Sequence, residues 1–209
     1  MSSCFGSRTS VATLVLASKS PNRLKLMRQI GVEPIVRVSD FVENLSKELS
    51  PEDFVIGTAM GKLHVIVEQM KQKNEYFDAI IACDTSIVFE KEIIGKPLDA
   101  EDAVKTLKRL RGKEHEVYTG VAIAYSDGSE ETFSQKTLVK FADYSDEIVE
   151  QYVATGEPLN KAGSYGIQDL GSVLVEKVDG CFFNVVGLPI GRVFRALTAK
   201  GINIIPTAQ

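Results

Sequence analysis

The stretch Thr13-Leu14-Val15-Leu16-Ala17-Ser18-Lys19-Ser20-Pro21-Asn22-Arg23 decides the fold class. Thr13–Ala17 is a short continuous apolar run, the pattern of a strand buried on both faces. Ser18-Lys19-Ser20-Pro21 closes it, and apolar residues then return at helical spacing through Leu24, Leu26, Met27 and Ile30. Ser20 carries an N-cap side chain, and Pro21 suits the first helical position, where a missing N–H leaves no bond unmade. Gly31 ends the helix. A buried strand running directly into a capped helix opens an α/β fold.

The alternation continues outward from this unit. Ile35–Val38 predicts a second strand and Ser39–Leu49 a polar, acidic loop. Ser50-Pro51-Glu52-Asp53 repeats the cap and opens a helix to about Lys73. Ala79–Ala82 predicts a third buried strand ending at Asp84, and Ile87–Phe89 with Ile93–Ile94 a hairpin around a charged turn. Asp99 caps a helix from Ala100 to about Arg111, closed by Gly112. Glu116–Tyr125 and Glu131–Phe141 flank Asp127-Gly128, a hairpin signal that makes the sheet mixed. Ser145 caps a helix to Ala154, Ser172–Val178 predicts a strand, and Pro189 starts a last helix to about Lys200. Residues 13–201 read as one domain, with 1–12 a flexible N-terminus and 202–209 a loose tail.

The 209 residues are 44% apolar and 25% charged, a globular composition. Lys and Arg number 24 against 28 Asp and Glu, a net charge of −4. That balance argues against a nucleic-acid sleeve, which needs a basic excess, but leaves room for a local cationic pocket. Cys4, Cys83 and Cys181 lie far apart with no metal-ligand spacing, and so sparse a set fits a reducing compartment. His64 and His115 are the only histidines, which excludes a multi-histidine metal centre and suits structural or exposed roles. No run approaches the roughly 20 apolar residues of a membrane span. The expectation is a cytoplasmic protein with neither nucleic acid nor membrane as partner.

Four segments could carry chemistry. The start of a helix has unsatisfied N–H groups, and Ser18, Lys19, Ser20 and Arg23 around it suit a phosphate, without Walker-type spacing. The plain alternative is a capped helix with solvated cations. Asp84-Thr85, at the expected exit of a buried strand, could hold a divalent metal or orient a water, or could simply be a turn. Lys96 in Gly95-Lys96-Pro97 and Lys62 in mid-helix are either phosphate ligands or surface lysines. Lys161-Ala162-Gly163-Ser164-Tyr165-Gly166-Ile167-Gln168 is a glycine-rich turn that lets backbone approach a ligand, and the Gln168 amide could read a base edge or a ribose. No GxSxG, Cys–His pair or GxGxxG fingerprint is present.

Taken in order, LASKSPNR, ACDTSIV, GKPLDAEDAVKTLKRLRGKEHEVYTGVAI, GEPLNKAGSYGIQDLG and NVVGLP resemble the Maf family of nucleoside-triphosphate pyrophosphatases from about Thr13 to Lys200. The resemblance implies an α/β fold with a mixed twisted sheet, flanking helices and two lobes around a central cleft, akin to inosine-triphosphate pyrophosphatases, and a homodimer. It implies hydrolysis of a nucleoside triphosphate to monophosphate and pyrophosphate with Mg²⁺ or Mn²⁺, by water attack at the α-phosphorus. The family's catalytic aspartate falls on Asp84, a candidate metal ligand together with Glu43. Its supporting polar residues fall on Ser18, Arg23, Glu43, Lys62, Lys96 and Gln168, with Ser20 and Lys161 beside them as candidate phosphate ligands. Thr85 and Gln168 match the pattern that accompanies dTTP and UTP as substrates. Asn22 stands where the family has the first arginine of Pro-Arg-Arg and is a specificity position; Asn160 replaces an aspartate before Lys-Ala-Gly. A purine or modified-nucleotide pyrophosphatase, and a non-catalytic nucleotide sensor in control of cell division, are the competing readings.

Overall fold

The computed structural model describes residues 12–46 and 48–204. The element order is β1 (Leu14–Ala17), α1 (Pro21–Gln29), β2 (Ile35–Arg37), α2 (Pro51–Gln72), β3 (Ala79–Phe89), β4 (Glu92–Ile94), α3 (Ala100–Leu110), β5 (Glu114–Tyr125), β6 (Glu130–Phe141), α4 (Asp146–Ala154), β7 (Val175–Asp179), α5 (Phe182–Val186) and α6 (Ile190–Ala199), with short 3₁₀ turns between α4 and β7. Among the described residues the strands form one seven-stranded sheet in the order β2-β1-β3-β5-β6-β7, with β4 paired to β3. β1 runs parallel to β2 and β3, and the remaining pairs are antiparallel. The sheet is mixed because β5 and β6 join through a tight turn at Asp127-Gly128, where Gly128 has a positive φ and the Asp127 carboxylate accepts from Ser129 N–H.

Side-chain alternation along the strands builds two cores. Leu14, Leu16, Ile81, Cys83, Val121, Ile123, Val139 and Phe141 face one side, under Leu26, Leu107, Val149, Val193 and Leu197 of α1, α3, α4 and α6. Val15, Ala17, Ile80, Ala82, Ala122 and Ala124 face the other, under Ala59, Leu63, Ile66 and Met70 of α2. Helices therefore cover both faces, which is why β1 reads as a continuous apolar run rather than an alternating one. The caps are those the sequence predicts: Ser20, Ser50, Asp99 and Ser145 each accept a backbone N–H from the first helical turn.

Three expectations are corrected, and one helix has no signal in the sequence. β3 does not end at Asp84. It runs on as one strand to Phe89, because β5 pairs with it from Ala79 to Val88. The segment expected as a strand from Ser172 begins as a 3₁₀ turn, Leu170–Leu174, and pairs with β6 only from Val175. The five-residue helix α5 lacks the length that makes helical periodicity legible. Of the tail expected from residue 202, Ile204 is buried in the main core; residues 205–209, like residues 1–11 and Cys4 among them, lie outside the described residues.

Candidate active site

One edge of β3 is taken by β5 along almost its whole length, from Ala79 to Val88. The other edge is shared. β1 occupies it from Ala79 to Ala82, and β4 from Ile87 to Phe89. Between them, among the described residues, Cys83-Asp84-Thr85-Ser86 has no strand partner on this edge, so the sheet carries a notch four residues long. The Ser18–Ser20 turn leaves β1 on one side of it. Gly95-Lys96 continues from β4 on the other. Side chains from both faces of the sheet can meet across this gap, which a closed sheet would prevent.

On the α2 face, Asp84 Oδ1 accepts from Lys62 Nζ at 2.8 Å, and the same ammonium reaches Glu43 Oε1 at 2.7 Å. The side chains of Lys62 and Asp84 are 15% and 11% exposed against 56% for Glu43, so the first pair is shielded and Glu43 forms the outer wall. Glu43 lies in an irregular loop, and its place is set by packing. The Phe41 ring lies on α2 where a Cβ at Gly61 would overlap it. A glycine beside Lys62 thus lets the loop dock. Burial pushes the Glu43 carboxyl up, but the Lys62 hydrogen bond and the charges of Lys62, Lys96 and Lys19 outweigh this and hold it below its ordinary range. Lys19 and Lys96, both exposed, therefore sit close enough to act on the same carboxylate.

On the opposite face, Arg23 extends from the first turn of α1. Its Nε donates to Gly187 O at 2.8 Å, Nη1 to Ser18 Oγ at 3.2 Å and Nη2 to Thr85 Oγ1 at 3.0 Å. Ser18 Oγ also accepts from Ser20 N–H, and Ser20 Oγ from Arg23 N–H. Asn22 is half-buried in the same turn. Cys83, between the two clusters on β3, is pushed up to about 11 by burial, against the lowering influence of Arg23 and Lys62. A thiol so placed is not a nucleophile.

The glycine-rich segment is tied to the β4 side of the notch, where Gly163 N–H donates to Gly95 O at 3.0 Å. Gly166 N–H donates to Tyr152 Oη, which in turn donates to Glu157, and that carboxylate also accepts from Leu170 and Gly171 N–H. Gln168 Oε1 is buried with no partner among the described residues. Lys161 lies along the segment, its Cε 3.3 Å from where a Cβ on Gly166 would stand, rather than in the Asp84 cluster. His64 pairs with Glu130 at the surface, and His115 is buried with Nε2 2.9 Å from Tyr165 Oη.

The structure thus brings Asp84, Glu43 and Lys62 together, and separately Ser18, Ser20, Arg23 and Thr85, on opposite sides of one notch. Asp84 and Glu43 converge on a single point now held by an ammonium. They are hard oxygen donors, a set that suits Mg²⁺ or Mn²⁺ when phosphate oxygens and water complete the coordination. Among the described residues no group of three or more His, Cys, Asp or Glu could hold a metal by itself. Reading from residues alone missed Thr119, Asn184, Phe41 and Gly187 as parts of the site. The NVVGLP segment and the glycine beside Lys62 were the available signals.

A mixed sheet clasped by helices, with a notched central strand, places the chain in a known fold class. It resembles a HAM1 protein from Coxiella burnetii, with a TM-score of 0.50 and 13% identity over 90% of this chain and 99% of that one. Within that architecture the chain belongs to the Maf family, since the Maf-like protein model matches residues 13–200. Curated relatives include the dTTP/UTP pyrophosphatase of Dictyoglomus turgidum, 43% identical over 92% of this chain and 98% of that one. Another is the dTTP/UTP pyrophosphatase of Thermosipho africanus, 43% identical over 90% and 94%.

Proposed function

We propose that this chain hydrolyses nucleoside triphosphates, dTTP and UTP foremost, to the monophosphate and pyrophosphate. The observation that carries the reading is the notch in β3, lined on one face by Asp84, Lys62 and Glu43 and on the other by Arg23 and Ser18. A triphosphate concentrates negative charge in a small volume, and four cations from three segments (Lys19 with Arg23, Lys62, and Lys96) flank this gap in an acidic protein. The names of the relatives support the same chemistry.

Asp84 uses Oδ1 for Lys62, which leaves Oδ2 to accept a hydrogen bond from the attacking water and to orient it toward the α-phosphorus. Lys62 fixes the carboxylate. Arg23, with the exposed Lys19 and Lys96, stabilises charge that develops on the leaving pyrophosphate. Asp84 and Glu43 would hold a Mg²⁺ or Mn²⁺ ion, which when bound neutralises phosphate charge. Gln168 offers an unpartnered carbonyl oxygen to the N3–H of uracil or thymine, and its NH₂ to a flanking carbonyl. Among the described residues no helix is long and apolar enough to cross a membrane. The family resemblance adds the expectation of a cytoplasmic homodimer, which light scattering and cell fractionation test.

The decisive experiment is hydrolysis of dTTP in H₂¹⁸O with Mg²⁺ or Mn²⁺. Label in the monophosphate is expected, and label in pyrophosphate would place the attack at the β-phosphorus instead. Chelation of the divalent ion is expected to abolish turnover and its return to restore it; full activity in excess chelator would remove the metal from the reading.

A further inference from the structure

The buried polar groups behind Arg23 form a directed chain. Thr119 Oγ1 donates to Asn184 O at 3.0 Å, a carbonyl that can only accept. Thr119 Oγ1 also lies 2.9 Å from Thr85 Oγ1. Since the Thr119 hydrogen is spent on the carbonyl, Thr85 must be the donor between the two hydroxyls. Thr85 Oγ1 then accepts from Arg23 Nη2. The polarity of every link, from guanidinium to carbonyl, is determined.

The far end of the chain is anchored. Asn184 is fully buried, and its Nδ2 donates to Val117 O at 3.0 Å and to Thr137 Oγ1 at 2.9 Å. Those two bonds stitch the short helix α5 to β5 and β6. Thr85 and Thr119 are register partners on β3 and β5, so their side chains share a face. The chain that leaves α5 closes the loop. Gly187 has a φ of +113° and offers its carbonyl to Arg23 Nε. A Cβ there would stand 3.3 Å from Thr85 Oγ1 and 3.6 Å from Arg23 Nε, in a conformation that L side chains rarely adopt.

A guanidinium has five N–H donors. Gly187, Ser18 and Thr85 take three of Arg23's. Among the described residues one donor remains without a partner on each terminal nitrogen, the pair that matches two oxygens of a phosphate.

We propose that Thr85, Thr119, Asn184 and Gly187 are positioning residues that fix Arg23 with two donors directed at the substrate phosphate. The NVVGLP segment serves the site through this contact rather than through any contact of its own with the nucleotide. Thr85, whose only hydrogen is spent on Thr119, acts through Arg23 and donates to no base. The proposal rests on the pyrophosphatase reading for its substrate, but not for its geometry.

The test is a double-mutant cycle on dTTP hydrolysis with Thr85→Val, Thr119→Val and Arg23→Ala. Thr85→Val and Thr119→Val are each expected to lower kcat/KM about tenfold in the wild-type background and less than twofold in the Arg23→Ala background. Thr119→Ser, which keeps the hydroxyl, is expected to recover most of the loss. Equal losses in both backgrounds, or wild-type rates in both valine variants, would overturn the proposal. If Thr119→Val does not fold, Thr85→Val at its half-buried position carries the cycle. A second readout does not depend on activity: the ¹H–¹⁵N resonance of Arg23 Nε–H, assigned by its loss in Arg23→Lys. Its solvent exchange is expected to quicken at least about tenfold in Thr85→Val. Unchanged exchange would reject the positioning role. Wild-type protein that turns over no nucleoside triphosphate would reject the pyrophosphatase reading, and the exchange measurement would still decide the positioning.

Discussion

Asp84 shows how much of a residue's role lies in what holds it. A carboxylate with one oxygen engaged by Lys62 keeps the other free, and its immediate neighbour Cys83 faces the opposite core. Asp84→Asn is nearly isosteric but is neither a base nor an anionic ligand. It is expected to lower kcat by about 10²–10⁴ with the melting temperature preserved. Wild-type kcat at saturating metal would remove Asp84 as the catalytic carboxylate. His115 offers a second test at this scale. Burial lowers it to about 4 in the folded protein, against roughly 6.5 when unfolded. Below 6.5 the unfolded chain takes up a proton that the folded one refuses. The stability tied to neutral His115 is therefore complete above pH 6.5 and declines as pH falls toward 4, by up to about 3 kcal/mol. Denaturant titrations across that range should show the decline in the wild type and a flatter profile in His115→Gln; parallel profiles would show that His115 does not cause it.

At the level of elements, the site depends on where strands stop. β1 stops at Ala17 and β4 at Ile94, so β3 has an open edge at Asp84 and Thr85. The sequence around Asp84 reads as a strand end because its apolar run is interrupted by Asp-Thr-Ser. Pairing with β5 overrides that local signal and carries the strand through. The caps were legible because each is a local bargain between one side chain and one N–H, complete within four residues. The loop that brings Glu43 was not, since its position is set by Phe41 on α2. Gly61→Ala should leave α2 intact, alanine being favoured over glycine in a helix by about 1 kcal/mol. It should displace Phe41 and with it Glu43, and cut kcat/KM about tenfold with little change in thermal unfolding. Unaltered kinetics would show that docking of this loop does not matter to turnover.

For the whole molecule, the question is the base. Gln168 is presented by a segment pinned at Gly95 and braced through Tyr152 and Glu157. A site whose polar groups fit one base edge can discriminate strongly when another edge leaves them unpaired. Under one metal condition, kcat/KM for dTTP and UTP should exceed that for GTP, inosine triphosphate and 7-methyl-GTP. A purine ahead of both by tenfold would reject the pyrimidine assignment and leave the pyrophosphatase assignment standing. Most of the chain's strands and helices, its caps, its mixed sheet and the ordered motifs of its family were present in the linear sequence, because each rests on periodicity, local hydrogen bonding or residue identity at fixed spacing. The notch, the pairing of Asp84 with Glu43 through Lys62, and the bond from Arg23 to the Gly187 carbonyl were decided only in three dimensions. They join residues 19 to 164 positions apart, and the sheet register that brings such distant residues together is a property of packing that no local stretch encodes.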